Sequence, residues 1–187
     1  MRQRTKIKQR RIIICFAGFL AFSGLAFAKN EIDLANNPDI AKQLNIFQYG
    51  LVKTLGFGDL GDNTAYTFLY RDRGDKNPRG YSASIDAGQD GARLFFSASE
   101  SCVEGHSNSS DVIEINGRNV QATSACVRDS LRELRIGYLI KTKEGNLYAV
   151  EEFKSKRVVL VRFRAMSIPF ESEDFSDALR KADQQPL

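Results

Sequence analysis

The single histidine and its neighbours are the first candidates for chemistry in this chain of 187 residues. His106 lies four positions after Cys102, a spacing used in metal sites, but a zinc site needs three or four ligands. Ser107, Ser109 and Asp111 add the residue types of a Ser-His-Asp triad, yet the segment has no nucleophile-elbow or oxyanion-loop pattern. We therefore interpret His106 as a solvated residue of a polar loop, and we predict no metal and no cofactor.

Four carboxylates are the second candidates, because paired acids hydrolyse glycosidic bonds. Asp86, Asp90, Glu100 and Glu104 fall around the ends of expected strands, but their positions in the sequence do not fix their separation in space. Solvated surface acids are the ordinary outcome for such residues. The sequence therefore favours a protein that is not an enzyme, with a carboxylate or serine hydrolase as an alternative.

A polar loop is the first candidate binding surface. The segment Glu100–Ser110 (ESCVEGHSNSS) is made of small and polar residues between two expected strands. Loops held by a rigid sheet often carry binding function. The candidate binding residues within it are Glu104, His106 and Asn108.

A basic stripe is the second candidate binding surface. It consists of Arg157, Arg162 and Arg164, with Lys154 and Lys156 beside them. In the simpler interpretation, Arg162 and Arg164 lie on the solvent side of an edge strand, where charges discourage aggregation. In the alternative interpretation, the stripe docks an acidic partner or lipid headgroups.

The first 28 residues have the pattern of a secretory signal peptide. Six basic residues and no acid occupy residues 2–11, an almost wholly apolar run follows at 12–27, and Ala26-Phe27-Ala28 suits signal peptidase. We predict cleavage after Ala28 and a periplasmic or secreted protein. The alternative is an uncleaved anchor, since the run approaches the ~17–25 residues of a membrane span. Cleavage leaves 21 basic and 23 acidic residues, a net charge of −2, which gives no sign of nucleic-acid binding.

Two of the three cysteines remain after cleavage, because Cys15 lies in the signal peptide. Cys102 and Cys126 are an even pair in an exported chain, which predicts one disulfide. The bond would close a loop of about 25 residues and contribute roughly 3 kcal/mol on the loop-entropy estimate. The alternative, a redox-active pair, would show the Cys-x-x-Cys spacing of thioredoxin-like sites.

The rest of the chain predicts a single exported domain, residues 37–183, of the mainly β (α+β) class. We expect an antiparallel β-sheet or sandwich with an N-terminal helix and a short C-terminal helix. Residues 29–36 are expected to form a flexible lead, and residues 184–187 a tail. The first helix is predicted from Asn37 as N-cap and Pro38 at its first position. Its apolar face is Ile40, Leu44, Phe47, Leu51 and Leu55, and Gly56 would close it.

Residues 64–126 predict an antiparallel meander of about five strands. β-branched and aromatic residues fill Thr64–Arg71, and alternation marks Gly80–Asp86 and Ala92–Ser99. Asn116-Gly117 between two alternating runs is a strong hairpin signal, because a type I′ turn needs positive φ at both central residues. The expected buried face is Tyr66, Phe68, Phe96, Ile113, Ile115 and Val120.

The last third of the chain mixes strands with short helices. Leu134–Thr142 and Val158–Phe163 are predicted strands, whereas residues 146–154 fit either a short helix or the second strand of a hairpin. A final helix is predicted to begin at Ser172 or Glu173. Its inner face is Phe175, Ala178, Leu179 and Ala182.

This last third resembles the invasion-associated locus B family and related type VI secretion accessory proteins. Leu147–Lys154 followed by Val158–Phe163 matches a short helix that leads into a strand in those proteins. The segment Ile168–Leu179 (IPFESEDFSDAL) matches their Phe-Ser-x-x-Gly-Phe-x-x-Ala-Leu pattern, with Asp174 where glycine is usual. The resemblance implies an exported, disulfide-stapled, β-rich domain engaged in envelope or host-facing interactions, and it implies no catalytic residues.

We therefore expect a non-enzymatic exported (periplasmic) protein-binding domain, an accessory factor of an envelope or secretion system. Its partner would be a protein of the cell envelope and not nucleic acid, and no membrane span would remain after signal cleavage. The alternative is a periplasmic inhibitor or immunity protein that places the Glu100–Ser110 loop in a cell-wall hydrolase. Capture of the partner would distinguish these two classes.

Overall fold

The computed structural model describes residues 31–60, 63–88, 91–102, 109–128 and 134–184. The predicted signal peptide, residues 1–28, lies outside these ranges, as do residues 185–187 of the predicted tail. The strands are β1 (Glu31–Asp33), β2 (Leu51–Leu55), β3 (Thr64–Tyr70), β4 (Arg79–Gly88), β5 (Gly91–Ser101), β6 (Ser109–Ile115), β7 (Arg118–Arg128), β8 (Leu134–Ile140), β9 (Val158–Phe163) and β10 (Met166–Glu171). The helices are α1 (Pro38–Leu44), α2 (Lys143–Ser155) and α3 (Phe175–Asp183).

The ten described strands form one antiparallel sheet in the order β1-β2-β3-β4-β5-β8-β7-β6-β9-β10. This confirms the mainly β, antiparallel prediction with a helix near each end of the domain. The five strands predicted within residues 64–126 are β3 to β7. They are not one uninterrupted meander, because β8 pairs with both β5 and β7 and so lies between them.

The sheet curls, so that β10 packs against the inner face of β2 and β3. Thr54 Oγ1 donates a hydrogen bond to Glu171 Oε2 at 3.1 Å, and Thr67 Oγ1 donates to the Pro169 carbonyl oxygen. Aromatic rings fill the enclosed space and meet mostly edge-on or tilted, which aromatic pairs prefer over face-to-face contact. The rings at most 2% exposed in this core include Phe57, Phe96, Phe153, Phe163, Phe170 and Phe175.

The open choice at residues 146–154 is settled in favour of a helix, α2. The Thr142 hydroxyl caps it by accepting a hydrogen bond from the Gly145 N–H at 3.0 Å. Asn146 then attaches the helix to β5, because its Oδ1 accepts from Leu94 N at 3.0 Å and its Nδ2 donates to Ala92 O at 2.9 Å. Within the described ranges, no helix combines the length and apolar character needed to cross a membrane.

The N-terminal helix is shorter than predicted. It ends at Leu44, because Asn45 takes the left-handed conformation with φ 54°. Leu51–Leu55, predicted to continue the helix, is strand β2 and pairs with β1 and β3. Residues four apart share one face of a strand as well as one face of a helix, so the spacing of these leucines fits both elements. Phe47, predicted on the buried face, is 68% exposed.

The flexible lead predicted at residues 29–36 belongs to the sheet from residue 31 onward. Glu31–Asp33 forms β1 and pairs with β2. Ile32 and Leu34 are buried, and the Leu34 N–H donates to the Gly50 carbonyl oxygen at 2.9 Å. Two apolar residues are too few to establish a strand pattern in the sequence. Strand β1 forms because it pairs with β2 at the edge of the sheet.

Strand β3 faces the core with the residues opposite to those predicted. Ala65, Thr67 and Leu69 are buried, whereas Tyr66 and Phe68 are half-buried on the outer face, with their ring centroids 6.2 Å apart. Thr67 faces inward because its hydroxyl bonds to β10. The remaining predicted core residues, Phe96, Ile113, Ile115 and Val120, are buried.

The predicted hairpin at Asn116-Gly117 is confirmed. Strands β6 and β7 pair around these residues, which have φ 46° and 87°. Asn116 also acts beyond the turn, because its Oδ1 accepts from Leu160 N at 2.9 Å and its Nδ2 donates to Glu152 Oε2 at 2.6 Å. The hairpin therefore helps to hold both β9 and α2 in place.

Helix α3 confirms the predicted final helix with a slightly later start, at Phe175. Phe175, Ala178 and Ala182 are buried as predicted, and Leu179 packs partly buried against the core. The residue before the helix, Asp174, is left-handed with φ 59°.

Candidate functional site

Both ends of the predicted binding loop are attached to one strand, β7. Cys102, the residue after β5, forms the predicted disulfide with Cys126, with a Cα–Cα distance of 5.8 Å. At the other end of the loop, Ser109 pairs with Ser124, and their hydroxyl oxygens are 2.7 Å apart in a hydrogen bond. The two attachment points are thus near neighbours on β7. The loop between them, residues 103–108, lies outside the described residues, and so do the candidates Glu104, His106 and Asn108.

An arginine from a distant part of the chain contacts the base of this loop. Arg164 lies in the turn between β9 and β10, and its Nη1 is 2.8 Å from Glu100 Oε2. Arg164 has φ 54°, which is unfavourable for a residue with a Cβ atom. Asn45 Nδ2 supports the turn by donating to the Ala165 carbonyl oxygen at 2.7 Å. We call the region formed by Glu100, Cys102, Ser109 and Arg164 the loop end.

Two buried phenols lie in the core close to the loop end. The Tyr81 and Tyr138 rings pack against Phe163, with centroid distances of 6.1 and 5.2 Å. Burial raises the pKa of Tyr81 to about 12, and the charges of Tyr49 and Glu100 act in the same direction. Burial is also the main cause that raises the pKa of Tyr138, and the negative charge of Glu100 is the second cause. Both phenols therefore stay protonated at neutral pH. Among the described residues, the buried Tyr81 hydroxyl has no hydrogen-bond acceptor.

The three arginines of the predicted stripe are not one surface. Arg162 lies on the outer face of β9, opposite Glu114 of β6, and forms an ion pair with it. Arg157 precedes β9, at the opposite end of that strand from Arg164, and its Nη2 is 3.9 Å from Glu171 Oε1. Strand β9 is also not an edge strand, because it pairs with both β6 and β10. Each arginine has its own carboxylate, and Arg164 alone reaches the loop end.

Two of the four carboxylates considered for glycoside hydrolysis, Asp86 and Glu100, lie in the described part of the chain, and they are far apart. Asp86 of β4 lies opposite Arg93 in the strand register, near one end of β5, and Glu100 lies seven residues after Arg93 along β5. At ~3.3 Å per residue this places them about 20 Å apart, against the ~5–10 Å of a glycosidase pair. Asp90 and Glu104 lie outside the described residues. Among the residues that the structure covers, no group of three or more His, Cys, Asp or Glu side chains could hold a metal ion.

Sequence reasoning missed the residues that support the loop end. Asn45 was assigned to a long helix, although asparagine is common at left-handed helix ends, and that preference is a usable signal. Tyr81 and Tyr138 are recognisable as strand residues, but their closeness to Glu100 depends on strand order. The buried carboxyl of Glu171 was overlooked because acids are rarely buried.

The loop end therefore brings together the two attachments of the loop to β7 and an ion-paired arginine from the turn between β9 and β10. Comparison with known proteins adds no relative, since no family model, curated protein or solved structure matches this chain.

Proposed function

We propose that the protein is a non-enzymatic exported domain that binds a protein of the cell envelope through its loop end. The observation that carries the proposal is the attachment of both loop ends to β7, by the Cys102–Cys126 disulfide and the Ser109–Ser124 hydrogen bond. A loop held in this way loses less conformational entropy on binding than a free one. The sheet is the rigid scaffold and the loop is the recognition element.

Arg164 is the described residue best placed to contact a partner beside the loop. Its side chain is 65% exposed, although it also pairs with Glu100, whose side chain is 25% exposed. Arginine is enriched among the residues that dominate binding energy, because its guanidinium bonds in a planar, bidentate way. A partner with a carboxylate or backbone carbonyl oxygens facing Arg164 would suit this arrangement.

Export and the role of an accessory factor in an envelope or secretion system belong to the same proposal. They are supported by the signal-like pattern of residues 1–28, by the disulfide, and by the resemblance of the last third. An inhibitor of a cell-wall hydrolase would use the same doubly attached loop. The identity of the captured partner separates the two roles.

The test is crosslinked capture in living cells with a C-terminal tag, followed by mass spectrometry. Arg164→Glu is expected to lower capture of the main partner about tenfold, which is the loss of one good binding residue. Arg162→Glu is the matched control, because Arg162 is also an ion-paired arginine of the β9 region but lies away from the loop end. Equal capture by wild type and Arg164→Glu contradicts the proposal.

A charge swap separates binding from a merely structural role. The double variant Glu100→Arg with Arg164→Glu restores opposite charges across the 2.8 Å contact. If Arg164 touches the partner, capture stays low in the double variant. Full recovery of capture would mean that the ion pair only supports the fold, and the binding role of Arg164 would be rejected.

A further inference from the structure

The turn of the β6–β7 hairpin contains the only asparagine in the chain that is followed by glycine, Asn116-Gly117. Asparagine before glycine is prone to spontaneous deamidation, because a residue without a Cβ atom leaves its backbone nitrogen unobstructed. In this reaction the Gly117 nitrogen attacks Asn116 Cγ and closes a succinimide ring. The Cγ–Nδ2 bond breaks, and Nδ2 leaves as ammonia with the proton from the Gly117 nitrogen. Water then opens the ring to give aspartate, or isoaspartate with the backbone running through the side chain.

The turn itself opposes closure of the ring. Asn116 and Gly117 have φ 46° and 87°, as a type I′ turn requires. The backbone angles of such a turn place the Gly117 nitrogen on the opposite side of the Asn116 Cα–C bond from the Cβ atom. The ring contains both atoms and needs them on the same side of that bond. The hairpin turn must therefore open before the ring can form.

The carboxamide of Asn116 is also held at both of its ends. Its Oδ1 accepts a hydrogen bond from Leu160 N at 2.9 Å, and its Nδ2 donates to Glu152 Oε2 at 2.6 Å. Attack makes Cγ tetrahedral, which moves both atoms away from these partners. The negative charge of Glu152 also opposes the negative charge that builds up on Oδ1 during attack. Both effects favour the intact amide in the folded protein.

The product of the reaction disrupts the same contact. In aspartate, a carboxylate oxygen takes the place of Nδ2 opposite Glu152, so that a donor is lost and two like charges meet. In isoaspartate, the additional backbone atom is incompatible with the two-residue turn. Helix α2 has a second attachment to the hairpin through Tyr148, whose hydroxyl donates to Ile115 O at 3.0 Å and whose ring faces Arg118 at 4.6 Å. Deamidation therefore loosens α2 and leaves the Tyr148 attachment in place.

We propose that Asn116 is a deamidation site controlled by the docking of α2 on the β6–β7 hairpin. Docking holds the reaction back, and the reaction, once it has occurred, weakens the docking. Each event is irreversible, so the fraction of acid at this position records how often the hairpin has opened. The site lies at the turn of the hairpin, whereas Ser109 of the loop end lies at the start of β6, so the proposal does not depend on partner binding.

Peptide mass spectrometry of the purified protein, incubated at mildly alkaline pH, measures the reaction. We expect deamidation of Asn116 to be at least about tenfold slower in the folded protein than in guanidinium chloride, since it requires local opening. Glu152→Ala should accelerate it in the folded protein, whereas Glu151→Ala, an exposed neighbour on α2, should not. Tyr148→Phe is a milder second variant with the same expected direction. Equal rates in folded and unfolded protein, or a rate that neither Glu152→Ala nor Tyr148→Phe changes, would overturn the proposal.

A variant with the sequence of one product tests the consequence. Asn116→Asp should lower the midpoint of thermal unfolding by at least about 2 °C, through the lost donor and the repulsion. Adding Glu152→Gln should recover most of this loss, because the glutamine amide donates to the new carboxylate. Gln121→Glu is the control, the same amide-to-acid change at an exposed position of β7. An unchanged midpoint for Asn116→Asp, or a loss that Glu152→Gln does not reduce, would contradict the claim that deamidation weakens docking.

Discussion

Gly137 is a position where adding a single methyl group should disturb the sheet. It lies in β8, and a Cβ atom there would be 2.3 Å from Phe95 Cζ and 2.9 Å from Val127 Cγ2. Carbon atoms in contact are ordinarily ~3.5–4.0 Å apart. The Phe95 ring covers this glycine on the outer face, and Gly137→Ala must push the ring away.

The expected cost follows from two opposing effects. Overpacking of this kind costs about 1–3 kcal/mol, while alanine in a strand interior is about 0.5–1 kcal/mol better than glycine. The difference between the two effects is about 0–2.5 kcal/mol, so we expect a net loss of about 1 kcal/mol for Gly137→Ala. For a domain of this size, such a loss lowers the midpoint of thermal unfolding by about 2–4 °C.

Thermal and urea unfolding of a double-mutant cycle measures this effect. Phe95→Ala removes the ring, so most of the cost of Gly137→Ala should disappear in that background. Gly74→Ala is the control, because its added Cβ would approach only the Asp72 Oδ1 atom, at 3.3 Å, and little change is expected. Unchanged stability of Gly137→Ala, or an equal loss with and without Phe95, would refute the reasoning.

Three further predictions concern stability. Replacing both Cys102 and Cys126 by Ser should cost roughly 3 kcal/mol without abolishing the fold, as measured by thermal unfolding; free thiols in the native protein would contradict the disulfide. Asn146→Ala should cost about 1–3 kcal/mol in urea unfolding, because it removes two hydrogen bonds to β5, and a neutral result would show that they contribute nothing. Burial raises the pKa of Glu171, so its contribution to stability is present below its ordinary pKa and lost as pH rises. Glu171→Gln should therefore raise the unfolding midpoint in calorimetry at pH 7 and have a smaller effect near pH 4, and an equal effect at both values would contradict this.

Local sequence patterns predicted the parts of the fold that are determined by residues close together in the sequence. The Asn116-Gly117 turn needs only two residues that accept positive φ, and the two cysteines outside the predicted signal peptide have one possible pairing with each other. The length of α1 was wrong because Leu51 and Leu55 suit a helix face and a strand face alike. The neighbouring strands β1 and β3 decide that this segment is a strand and not a helix, and they come from other parts of the chain.

The loop end could be predicted only in part. The polar composition of Glu100–Ser110 marked it as a candidate, and Arg164 was included among the basic residues. Their contact joins positions 64 residues apart in the chain and depends on the curl of the sheet. No periodic pattern expresses that curl, so Arg157 and Arg162 seemed equivalent to Arg164 although only Arg164 lies at the loop end.

Site-specific photocrosslinking in living cells tests the central claim most directly. A photoreactive amino acid replaces His106 within the loop or, as the control, the exposed Gln121 of β7 outside it. A discrete adduct with an envelope protein from position 106, and none from position 121, is the predicted result. No adduct from position 106, or the same adduct from both positions, would contradict binding through the loop end.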